Sequence, residues 1–116
     1  MRHRKGNRKL GLTTDQRLAL IKNGTKSLLE HKQIKTTHAR AKEISKFAEN
    51  LITIAKKEDL AARRHVLKLI NDKRIMSILF KEILPKYKDR NGGYTRVIRY
   101  GIRRGDAAIV SVLELV

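Results

Sequence analysis

The chain has no cysteine. Disulfide staples and thiolate metal sites are therefore excluded, which fits a reducing compartment. Acidic residues are scarce, with 11 Asp and Glu against 28 Lys and Arg. No apolar run approaches the length of a membrane span. The N-terminus is basic but lacks the apolar stretch of a secretory signal. These absences together lead us to expect a soluble, cytoplasmic protein with no membrane partner. Catalytic patterns are missing as well. The histidines (His3, His31, His38 and His65) show no metal-ligand spacing. There is no phosphate-binding P-loop and no dinucleotide-binding glycine fingerprint. No serine lies in a nucleophile elbow. We therefore expect neither an enzyme nor a bound metal, cofactor or small-molecule substrate.

What the chain does have is positive charge. The formal net charge is +17 over 116 residues. Residues 1–14 carry +5 of it without a single acidic residue, and residues 86–104 carry +6. Both stretches read as tail or loop rather than packed element. Residues 15–85 carry +8, and residues 105–116 carry −2. Such a field repels itself unless a polyanion neutralises it. The long polyanions of a cell are nucleic acids, and a pI near 10.8 is in the range of their binders. Apolar residues are 41% of the chain, enough for one packed core.

The order of elements follows from periodicity. Residues 1–12 form a basic arm, expected to be disordered until a partner orders it. A single globular domain should follow over 13–116. Thr13-Thr14-Asp15-Gln16 has the capping-box pattern, so a helix should run to about His31. Its buried face would be Leu18, Ile21, Thr25, Leu28 and Leu29. Gly24 inside it costs about 1 kcal/mol against alanine, which close packing against another element would explain. Gln33-Ile34-Lys35-Thr36 is a short strand. Thr36 or Thr37 then caps a second helix, with Ala41, Ile44, Ala48, Leu51, Ile52 and Ala55 as its inner stripe. Glu58-Asp59 opens a third helix, whose inner face would be Leu60, Leu67 and Ile70. Asp72 caps a fourth, and Pro85 stops it. Thr95 to Ile102 and the apolar run from Ala107 onward read as two strands, the last central in the sheet. The expected fold is α+β and two-layered. Its helices lie on one face of a small three-stranded mixed sheet, in the order α-β-α-α-α-β-β.

Two constellations carry chemistry. In the arm, Arg2, His3, Arg4, Lys5, Arg8 and Lys9 can neutralise phosphates and release counterions. Six such contacts give a log–log salt slope of about −4 to −5. The second is the loop from Lys86 to Arg96. Gly92 and Gly93 allow positive φ and close backbone approach. Tyr87 and Tyr94 can stack on unpaired bases, Arg90 and Arg96 can clamp phosphates or stack on bases, and Lys88 is a further candidate RNA contact. Arg103 and Arg104 sit on a turn where phosphate contact is expected, and Arg99 lies on the strand before it. Lys42 and Lys46 project from the outer side of the second helix.

The marks of sequence-reading DNA modules are absent. So are the aromatic RNP strand and the GxxG clamp of common RNA modules. A small body with basic extensions suits irregular folded RNA. The alternative is an architectural DNA-binding protein of the nucleoid type.

Several stretches in one order carry a resemblance. They are Met1-Arg2-His3-Arg4-Lys5, Lys9-Leu10-Gly11, Arg17, Thr36-Thr37, Ala41-Lys42-Glu43, Leu51-Ile52-Thr53 and Ala62-Arg63-Arg64. Gly92-Gly93-Tyr94-Thr95-Arg96, Arg103-Arg104-Gly105-Asp106-Ala107 and Glu114-Leu115-Val116 complete the set. The chain resembles, end to end, the bacterial large-subunit ribosomal protein seventeen family. That resemblance implies a mixed α/β two-layer fold and a structural place on the large ribosomal subunit, near the outer end of the peptide exit tunnel. It also implies partners: large-subunit ribosomal RNA and neighbouring large-subunit proteins. Arg17, Thr36, Thr37 and Thr95 join the RNA-contacting residues on that ground. The chain departs from the family's pattern at Leu12, where an arginine is usual, and at Gly24, where a larger apolar residue is usual.

Overall fold

Thr13 opens the first helix as a capping box. Its side chain accepts from the Gln16 amide at 3.3 Å, and Gln16 returns the contact to the Thr13 amide at 3.5 Å. Two otherwise orphaned donors are thereby satisfied. A computed structural model describes residues 10–116 of the chain. The basic arm expected over 1–12 lies outside them, except for a turn at its end containing Leu10 and Gly11. Helix α1 spans Thr14–His31, strand β1 Gln33–Thr37 and helix α2 His38–Ala55. Helices α3 (Leu60–Leu69) and α4 (Lys73–Ile78) follow. Strands β2 (Thr95–Ile102) and β3 (Ile109–Leu115) close the fold.

The sheet order is β1-β3-β2, so the last strand is central as its continuous apolar content requires. The expected mixed pairing is corrected: both pairings are antiparallel. The reason is that β1 and β3 are far apart in sequence, so their relative direction is set by tertiary packing and not by the apolar content of either strand. Register runs from Gln33 opposite Glu114 to Thr37 opposite Val110. On the other side Thr95 faces Leu115, and a bulge at Tyr100 shifts the register before Gly101 meets Val110.

One sheet face is covered by α1 and α2. Leu28, Ala41, Ile44, Ala48 and Leu113 are buried there, with Ile34, Val97 and Leu115 against them. A second cluster lies among the helices and includes Leu29, Leu51, Ile52, Val66, Ile70, Ile75, Leu79 and Ile83. Each large aliphatic side chain buried in it contributes about 1.5–3 kcal/mol of transfer free energy. The inner stripe expected for α2 is buried in full.

Two expected faces are corrected. Leu18 is 48% exposed, and the fully buried positions of α1 are confined to its second half, at Thr25, Leu28 and Leu29. In α3 the buried residues are Ala62 and Val66, continued by Ile70, while Leu60 is 62% exposed. Leu60 occupies the first helical position, rotated away from the side that Ala62 and Val66 share one turn apart.

Helix starts follow local chemistry. Asp59 accepts from the Ala62 amide at 2.7 Å. Asp72 accepts from the Arg74 amide at 3.0 Å and the Ile75 amide at 3.3 Å. Thr37 is the residue preceding α2, but its side chain makes no capping bond. Pro85 does not end α4 abruptly. The α-helix gives way to a π turn at Leu79–Ile83 and a 3₁₀ turn at Leu84–Tyr87, with Pro85 in the latter's first turn. A proline inside a regular helix lacks a donor and clashes with the carbonyl four residues back, and a change of helix type relieves the clash.

Candidate nucleic-acid interface

The loop between Tyr87 and Thr95 is tied down from within. The Tyr87 hydroxyl donates to the Val116 carbonyl at 2.9 Å and to the Tyr94 carbonyl at 3.3 Å. The Tyr94 hydroxyl donates to the Arg90 carbonyl at 3.2 Å, and the Lys56 ammonium donates to the same oxygen. The Arg90 guanidinium donates to the Gly93 carbonyl at 2.8 Å. Gly92 and Gly93 have φ of +99° and +62°, the region that glycine enters without steric cost. A side-chain carbon at Gly92 would meet nothing within 4 Å, so its glycine serves backbone angle and not close approach within the chain.

Tyr87 and Tyr94 are corrected as base-stacking rings. They are 3% and 2% exposed, their centroids are 5.2 Å apart, and both belong to the helical core cluster. Burial raises the Tyr87 phenol above its ordinary value. These rings support the loop from beneath. Lys88 and Arg90 stand exposed above them.

Other expected contacts are engaged internally. The Thr95 hydroxyl lies 2.8 Å from a Glu49 carboxylate oxygen and 2.7 Å from the Ser45 hydroxyl, which fastens β2 to α2. Arg96 pairs with Glu114 at 2.6 Å across the strands. Lys46 covers the buried Glu43 at 3.2 Å. At the β2–β3 turn, Arg103 forms a bidentate pair with Asp106, at 3.0 and 2.6 Å. That guanidinium, helped by the Ala108 amide, lowers the Asp106 carboxyl to about 2.

Among the described residues, Lys42, Lys88, Arg99 and Arg104 are exposed cations with no carboxylate partner. Arg17 is half-buried on the second turn of α1. Thr36, Thr37 and Arg103 are brought together in one cleft on the sheet. Arg2, His3, Arg4, Lys5, Arg8 and Lys9 lie outside the described residues.

Three residues of that cleft escaped the sequence reading: Lys35, Arg40 and Tyr100. Tyr100 is 67% exposed and carries the Lys35 ammonium 4.0 Å from its ring centre. Strand alternation, followed from Arg96 and Ile98, is the signal that points to its outward face. Among the described residues there is no cluster of three or more potential metal ligands.

The geometry among the described residues is thus a set of exposed cations on helices, strands and a braced loop. Comparison with known proteins agrees with that character. Residues 20–116 match the family model described as Ribosomal protein L17. The large ribosomal subunit protein bL17 of Fusobacterium nucleatum is 48% identical over all of both chains. That of Clostridium beijerinckii is 52% identical over 96% of this chain and 98% of its own length. That of Geobacter metallireducens is 51% identical over the whole of this chain, which spans 65% of that longer relative. The chain therefore belongs to the ribosomal protein L17 family, as a structural ribosomal protein and not an enzyme.

Proposed function

We propose that the chain is a constituent of the large ribosomal subunit that binds large-subunit ribosomal RNA by neutralising phosphates, in the cytoplasm with the ribosome. One observation carries the reading: among the described residues, the exposed cations Lys42, Lys88, Arg99 and Arg104 have no carboxylate partner, on a body whose core contains no lysine or arginine. Arg99, Arg104, Lys88 and Lys42 add affinity by releasing counterions from the phosphate backbone. The Gly92-Gly93 loop, stiffened by Tyr87 and Tyr94, presents Lys88 and Arg90 without a large ordering cost on binding. The arm supplies further contacts: Arg2, Arg4, Lys5, Arg8 and Lys9 are charged at neutral pH. Neighbouring large-subunit proteins are its other partners.

Sedimentation of cell extract tests this directly. The chain should travel with the large-subunit peak at low and moderate salt. Its absence from that peak would falsify the proposal. An architectural role on duplex DNA is the second reading, supported by the same charge, and predicts a chain found on the nucleoid instead.

A further inference from the structure

Of the five aromatic rings in the chain, Tyr100 alone is exposed. It stands at the bulge of β2, on the sheet face that the helices leave open. A bulge re-aims a side chain and is a common device beside binding sites. Lys35, on β1, holds the ring in a cation–π contact across the central strand. With 67% of the residue exposed, the ring still offers surface to solvent.

Beside the ring lies a cavity of about 460 Å³, open at one side. Its volume falls in the ~300–1,000 Å³ range of small-ligand sites. Val110, Thr36 and Thr37 line it, and Arg40 joins them from the first turn of α2. Neither Lys35 nor Arg40 has a carboxylate partner among the described residues. Gly101 follows the ring, and a side-chain carbon there would meet nothing within 4 Å, so the approach is unobstructed.

A flat ring and two cations without carboxylate partners around one cavity match the base and phosphate of a nucleotide. We infer that this cleft is a subsite for a single unpaired RNA nucleotide. The base stacks on the free face of Tyr100, opposite the Lys35 ammonium, and the phosphate meets Arg40. A paired base cannot enter, because both of its faces are already stacked within a duplex. The inference rests on the RNA-binding reading above and adds to it a site that reads single-stranded character.

Filter binding of the full chain to large-subunit ribosomal RNA, transcribed in vitro, tests the site. Tyr100→Ala should weaken binding about tenfold, since stacking on an aromatic ring is worth on the order of 1–3 kcal/mol per base. Tyr100→Phe should bind as the parent does. The log–log salt slope should be unchanged in Tyr100→Ala, which removes no charge, and shallower by about one in Arg40→Gln. Thermal melting should be unaltered by Tyr100→Ala, because the ring is outside the core. Equal binding by the parent and Tyr100→Ala overturns the cleft while leaving RNA binding intact. No binding by the parent chain overturns both. In assembled large subunits, an ultraviolet crosslink from Tyr100 to a nucleotide supports the site, and one to a neighbouring protein overturns it.

Discussion

The Tyr87 hydroxyl serves two carbonyls at once, and one of them belongs to Val116. Removing it in Tyr87→Phe leaves the Val116 carbonyl short of a donor, while the Tyr94 carbonyl keeps the Val116 amide at 3.0 Å. The expected loss is about 1–2 kcal/mol, read from urea unfolding, with no change in the salt slope of RNA binding. The same phenol predicts an alkaline limit. Its folded pKa is raised, so its contribution is fully present below the unfolded value of about 10 and is lost as pH rises through the folded one. Asp106 behaves in the opposite sense. Its folded pKa of about 2 lies below the ordinary 3.8, so the turn is favoured above pH 3.8 and loosens as pH falls toward 2. Carbon-13 titration of the Asp106 carboxyl should find a midpoint near 2; a midpoint near 3.8 would mean that the Arg103 clamp is absent in solution. At this scale the sequence misleads most. Tyr87 and Tyr94 sit among lysines and arginines, and nothing local says that their rings turn inward. Only the end of β3, arriving from far along the chain, supplies the Val116 carbonyl that makes burial of the Tyr87 hydroxyl tolerable.

Helices α1 and α2 meet where Gly24 faces Ile44. A side-chain carbon at Gly24 would come within 2.9 Å of Ile44 Cγ1 and still nearer to Cδ1. Gly24→Ala gains about 1 kcal/mol of helix propensity but overpacks a buried isoleucine, which costs about 1–3 kcal/mol. The expected net change is a loss of about 1 kcal/mol. Ile44→Val removes the methyl that is hit. The double variant should therefore be more stable than the two single losses added together, and strict additivity in urea unfolding would refute the contact. Elements with a local cause are the ones a sequence displays. The capping box at Thr13, the aspartates before α3 and α4, and the stripe of α2 all depend on residues within a turn or two of each other. The face of α3 does not. Leucine spacing favours Leu60 and Leu67, while the smaller Ala62 and Val66 win because α2 approaches on their side, a fact of tertiary packing. The antiparallel direction of β1 against β3 is likewise a fact of tertiary packing.

Over the whole molecule, charge and core are kept apart. The core clusters contain no lysine or arginine; the cations lie outside them, on the strand hairpin, the glycine loop, the helices and the N-terminal stretch. This separation was legible from composition alone, since runs of basic residues cannot be buried without partners. The particular surface was not. The cleft at Tyr100 draws on β1, β2, β3 and the start of α2, which are distant in sequence and joined only by the sheet. Separation of charge from core also predicts that deleting residues 1–9 leaves the melting temperature unchanged while flattening the salt slope by several units. A fall in melting temperature would mean that the arm packs on the body.

The most direct test is binding to large-subunit ribosomal RNA as salt is raised, in competition with duplex DNA of equal length. A chain that reaches phosphates through unpartnered cations should give a log–log slope of about −4 or steeper. It should also prefer the RNA at physiological ionic strength. A nearly flat slope, or displacement of the RNA by equimolar duplex DNA, would contradict it.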